Sequence, residues 1–161
     1  MINYFTKYFI VISLTGTFIF QPGCITTSLH IQKPFNHAKG EKFSYQITPG
    51  AGITNKTLER MNEFFQIKLA NKLSTHGEAP TSKVEITIIK YYLRKDNIRS
   101  SIIGMVVGAD EISSNVVVRD ALTNTSLSEF RVDTTNPTLR GTSQEIIENH
   151  VGKIVSCLKG F

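Results

Sequence analysis

The chain has 161 residues, with 18 Lys and Arg against 13 Asp and Glu, giving a formal charge of +5. That length holds one domain with a two-layer core and excludes two independent ones. The charges are scattered, with no run of five or six of one sign, which excludes the basic stripe of a nucleic-acid binder. The mild positive excess suits contact with anionic lipid headgroups or peptidoglycan acids, as well as an ordinary solvated surface.

The chain opens with the pattern of a secretory signal. Lys7 and the amino terminus supply positive charge, and Phe9, Ile10, Val11, Ile12, Leu14, Phe18, Ile19 and Phe20 supply an apolar run. The run is shorter than the roughly 20 apolar residues a spanning helix needs, and Gly16 and Pro22 weaken any helix that would continue through it. Gly23-Cys24 resembles the lipobox of bacterial lipoproteins, with Gln21 standing where the pattern prefers Leu. The resemblance implies cleavage between Gly23 and Cys24 and a diacylglycerol on the Cys24 thiol. Several acyl chains then hold the chain to a bilayer far more firmly than one chain can. Ile25 follows, where an Asp would resemble an inner-membrane retention signal, so the outer membrane is the expected site.

These readings divide the chain into a signal peptide over 1–23, a flexible tether over 24–41 and a single α+β domain over 42–161. Lys7 is the only charged side chain lost with the signal, leaving +4. Three alternatives compete: an uncut signal anchor, a plainly secreted chain, and a Cys24–Cys157 disulfide in place of the lipid. With Cys24 lipidated, Cys157 is a lone thiol and reads as a small buried filler.

From Ile25 to Lys42 the chain is polar, with Pro34 and Gly40, and reads as the stalk. Lys42–Thr48 alternates Phe43, Tyr45 and Ile47 with polar residues, which predicts a half-buried strand closed by Pro49-Gly50. Thr54 or Asn55 caps a helix whose apolar stripe runs Leu58, Met61, Phe65, Leu69 and Leu73, widened by Phe64 and Ile67 and stopped at His76-Gly77. Strands are predicted over 83–93, 101–107, 112–119 and 127–132, with Arg94–Ser100 as a charged turn. Asn136, Pro137 and Gly141 mark a loop. Thr142 or Ser143 then caps a last helix, with Ile147, Val151, Ile154 and Leu158 as its buried stripe. The order predicts an α+β two-layer sandwich: a mainly antiparallel sheet of four to five strands with two helices on one face. Ile89, Tyr92, Ile103 and Val117 fall on the other face, where they would form an apolar patch for a partner or for self-association.

Gly104, Gly108, the strand after them, and the turn of Asp120 and Thr123 ahead of Leu127 resemble a family of bacterial lipoproteins defined only as a domain of unknown function, number 4410. Asn124 stands at the family's turn glycine, a position Asn tolerates because it adopts the left-handed conformation. More distantly, the chain is similar to envelope domains of curli-secretion and penicillin-binding-protein-activator lipoproteins. The resemblance implies an adaptor and supplies no chemistry.

Candidate sites are few. Gly104 and Gly108 lack the Gly-Lys-Ser/Thr and the helix of a phosphate loop, and read as strand bends. Asp110 and Glu111 are neighbours that a strand sends to opposite faces, and they read as solvated turn charges. Asp120 with Thr123 reads as an Asx turn. His30, His37, His76 and His150 have no metal-site spacing. Asn55-Lys56-Thr57 and Asn124-Thr125-Ser126 fit a glycosylation sequon by chance in a bacterial chain. No catalytic, metal or cofactor residue is assigned, and Cys24 is the one modification site. The expected role is a non-catalytic accessory or assembly factor at the envelope, binding the membrane through Cys24 and other envelope proteins or itself. The alternatives are a periplasmic carrier or sensor of a lipid, glycan or peptidoglycan fragment, and a hydrolase using Asp110, Glu111 or His150.

Overall fold

The computed structural model describes residues 25–34, 41–74, 78–94, 108–138 and 141–160. Its elements are β1 (Thr26–Lys33), β2 (Phe43–Thr48), α1 (Asn55–Leu69), β3 (Ser82–Tyr92), β4 (Asp110–Asp120), β5 (Ser126–Asn136) and α2 (Ser143–Lys159). The predicted signal, Cys24, His37, His76, Ile103, Gly104 and the predicted strand over 101–107 lie outside the described residues. Among the described residues no helix is long and apolar enough to cross a membrane.

The strands form one mixed sheet in the order β1-β5-β4-β3-β2. β3, β4, β5 and β1 pair antiparallel, and β2 lies parallel to β3 because α1 crosses over between them. Both helices cover the same face, as the sequence predicts. The sheet is therefore α+β, with a single parallel βαβ unit at one edge.

Alternation builds the core. Val84, Ile86 and Ile88 of β3, Ile112, Val116 and Val118 of β4, and Phe130 and Val132 of β5 all point towards the helices and are buried. Met61, Phe65 and Leu69 of α1, and Ile147, Val151, Ile154 and Leu158 of α2, close the layer from above. Tyr45 and Phe65 pack their rings with centroids 5.3 Å apart. Thr54 caps α1 by accepting from the Thr57 amide at 3.2 Å. Thr142 and Glu145 form a reciprocal capping box on α2. Gly50 is required by contact: a Cβ there would stand 2.3 Å from the carbonyl oxygen of Ile88.

Several expectations need correction. Residues Thr26–Lys33, read as part of a loose stalk over 24–41, form the edge strand β1 and pair with β5 from Thr26↔Thr135 to Lys33↔Glu129. Their alternation hid because the inward side carries Thr27 between Ile25 and Leu29. α1 ends at Leu69 and not at His76. The chain then turns so that the Phe43 amide donates to the Lys72 carbonyl at 2.7 Å, covering part of the β2 edge. Ile67, read as part of the buried stripe, is 72% exposed. Asn136, read as loop, is the buried last residue of β5.

Candidate functional site

The open face of the sheet was the first place expected to bind a partner through apolar contact. Its composition is otherwise. Register places Lys83, Glu85 and Thr87 of β3, Glu111, Ser113, Asn115 and Arg119 of β4, and Glu129, Arg131 and Asp133 of β5 on that side. Val117 does point there, between Glu85 and Glu129. Tyr92 also faces out, opposite Glu111, and Ile89 sits in the bulge between Ile88 and Lys90. Among the described residues, Val117 is flanked by Glu85 and Glu129 and Tyr92 by Glu111, so these three side chains make no continuous patch.

The charges on the open face pair laterally. Arg119 donates to Glu85 at 2.8 Å, Lys90 meets Glu111 at 2.7 Å, and Arg131 meets Asp133 at 2.8 Å. The Arg119 hydrogen bond holds the Glu85 carboxyl below its ordinary range. Partial burial works to raise Asp133, but hydrogen bonds from Arg131 and Ser113 and the charges of Arg131 and His30 together outweigh it and leave the carboxyl lowered.

Under the helices two polar clusters interrupt the core. Arg94, expected in a solvated turn, is buried and donates to Asp110 Oδ2 at 2.8 Å and to the Asn136 carbonyl at 3.0 Å. It also donates to the carbonyl of Thr138, and the Arg94 amide donates to Asp110 Oδ1 at 2.7 Å. Asp110 has no exposed surface, which corrects its reading as a turn charge. The cluster ties the end of β3 to the start of β4 and to the end of β5, where three chain segments meet.

The second cluster is His150, fully buried on α2. Its Nε2 lies 2.8 Å from Ser114 Oγ and its Nδ1 lies 3.0 Å from Thr134 Oγ1, and Thr134 in turn meets Thr27 of β1 at 3.2 Å. Burial pushes the imidazole down to about 4, so it is neutral at ordinary pH. A serine beside a histidine suggests hydrolysis only where substrate can reach it, and here both are sealed in the core. Asp110, Glu111 and His150 are not brought together: Asp110 is held by Arg94, Glu111 lies on the opposite face, and His150 binds Ser114 and Thr134.

Cys157 is a free, buried thiol, with its ionisation pushed up by desolvation. Asp120 Oδ1 accepts from the Leu122 and Thr123 amides at 2.9 and 2.7 Å, the predicted Asx turn, and these bonds lower its ionisation. Asn124 takes φ 58° as expected. Among the described residues no group of three or more His, Cys, Asp and Glu could hold a metal ion.

Concavity appears where both helices begin. A cleft of about 290 Å3 opens at the carboxyl ends of β2 and β3, lined by Lys56, Thr57 and Arg60 of α1, Tyr91, Arg94, and Ser143 of α2. Tyr91 Oη and Thr57 Oγ1 lie 2.8 Å apart, and Thr57 Oγ1 lies 3.0 Å from Thr54 Oγ1, forming a chain of hydroxyls along one wall. Sequence reasoning missed this cleft, because it is assembled from elements far apart in the chain.

No family model matches the chain, that of domain 4410 included, and no curated protein matches it. Solved structures do. The chain is similar to the PelC dodecamer of Paraburkholderia phytofirmans at TM-score 0.60 and 10% identity, covering 84% of this chain and 99% of that one. A point variant of the same dodecamer aligns at TM-score 0.60 and 7% identity, covering 84% and 98%. A chain from Caulobacter crescentus CB15 assigned as a lipoprotein aligns at TM-score 0.42 and 14% identity, over 73% of this chain and 84% of that one. The two PelC alignments identify the fold: this chain shares the architecture of a dodecamer subunit over nearly the whole of that subunit.

Proposed function

We propose that this chain is a lipid-anchored envelope protein whose α+β domain acts without catalysis, by assembling with copies of itself as a scaffold for other envelope proteins. The observation that carries the reading is a fold shared with the subunit of a dodecamer across 84% of this chain, taken together with the Gly23-Cys24 lipobox. Two features of the domain support it. Charged rows of both signs cover the open face, a surface able to meet a complementary one in a fixed register. β1 is an eight-residue strand at the edge of the described sheet, and no proline interrupts it.

The position of β1 also sets the geometry of the tether. Thr26 is two residues beyond Cys24, so acylation holds the edge of the sheet close to the bilayer, not at the end of a long stalk. The domain faces the periplasm, and the residue after Cys24 favours the outer membrane.

The test is the mass of the amino-terminal peptide of the mature chain from membranes of the native host, paired with crosslinking in those membranes. The expected result is a diacylglyceryl-modified Cys24 and crosslinks between copies of this chain. An unmodified amino terminus, or crosslinks to no envelope protein, would overturn the reading.

A further inference from the structure

The geometry points to a site for a phosphate-bearing ligand in the cleft between the starts of α1 and α2. Among the described residues every charged side chain on its lining is a cation: Lys56, Arg60 and Arg94. Arg94 is neutralised by Asp110 at 2.8 Å. Lys56, which is exposed, and Arg60, which is half-buried, have no such carboxylate among the described ion pairs of the chain, so the cleft keeps two positive charges in a concave place.

The local helix chemistry points the same way. α1 has no acidic residue in its first turn and places Lys56 there, against the positive end of its own dipole. α2 meets the same requirement in the ordinary manner, with Glu145 accepting from the Thr142 amide at 2.9 Å. A cation held where a helix favours an anion is unfavourable to the empty fold and favourable to a bound anion. The linked hydroxyls of Thr57 and Tyr91 leave at most one neutral donor free on the wall beside the two cations. Two cations and a hydroxyl match the several acceptor oxygens of a phosphate group better than a single carboxylate. A volume of about 290 Å3 is at the low end of small-molecule sites, which suits a sugar phosphate or a phospholipid headgroup. This site is independent of self-association.

The full chain, reconstituted in phosphatidylcholine vesicles, is titrated with glycerol 1-phosphate by calorimetry. The expected result is saturable binding with one site per chain. Binding should weaken about tenfold or more in the double variant Lys56→Gln, Arg60→Gln, and stay unchanged in the distant Lys83→Gln. The double variant should melt no lower than the wild type, because it removes a charge opposed to the α1 dipole; this separates lost binding from lost folding. Repeating the titration in vesicles containing phosphatidylglycerol distinguishes the sources. Heat that disappears assigns the site to a lipid headgroup, and heat that persists assigns it to a soluble phosphate. No saturable binding in neutral vesicles, or equal binding by the double variant, would overturn the proposal.

Discussion

The two faces of the sheet solve the placing of charge in opposite ways. On the open face Arg119, Arg131 and Lys90 meet Glu85, Asp133 and Glu111 in water, where each pair is screened and adds little to stability. On the covered face the pair Arg94 with Asp110 is withdrawn from solvent, with both side chains almost wholly buried. Removing one partner there leaves an uncompensated charge in the core. The lesson is that the same residue types set surface character on one side and register on the other, and only burial tells them apart.

The sharpest way to break that contrast is Asp110→Ala. We expect a loss of about 3–5 kcal/mol in urea unfolding, because the buried Arg94 guanidinium keeps its charge and loses its Asp110 carboxylate. A loss below 1 kcal/mol would place the covered pair with the surface ones.

The next effect depends on pH. The unfolded chain protonates His150 near 6.5, whereas the folded chain does so only near 4. Between these values the unfolded state binds more protons, so the stabilisation is fully present above pH 6.5 and is lost as pH falls towards 4. The expected loss across that window is on the order of 3 kcal/mol. His150→Gln should flatten the slope, and an unchanged slope would mean that His150 is not the titrating group.

A smaller effect is expected at the capping box. Thr142→Ala should cost about 1 kcal/mol, read as a lowered melting temperature, by freeing the Glu145 amide from its acceptor. The smallest belongs to the open face: Arg131→Gln should leave the melting temperature nearly unchanged, and 1 M salt should erase any difference. A salt-resistant loss at Arg131 would mean that this face is covered in the working assembly.

Much of the helical layer is legible in the chain itself. Met61, Phe65 and Leu69 on α1, and Ile147, Val151, Ile154 and Leu158 on α2, recur at helical spacing, and Thr142 with Glu145 marks the start of α2. Asp120 and Asn124 announce their turn because both act locally. What escapes is set by long-range pairing. β1 is an edge strand whose inner side is half polar, so periodicity alone reads it as a stalk. The bulge between Ile88 and Lys90 shifts the alternation of β3, so Tyr91 turns in to reach Thr57 and Tyr92 turns out. Asp110 and Arg94 look like turn charges until the register of β3 and β4 buries them together. The cationic cleft draws on α1, α2 and β3, and no local pattern joins them.

Self-assembly, as proposed for this domain, can be read from the light-scattering mass of the particle released from native membranes in mild detergent. The expected result is one species containing more than two copies of the chain, with a mass that holds on dilution. A monomer at every concentration would rule self-assembly out.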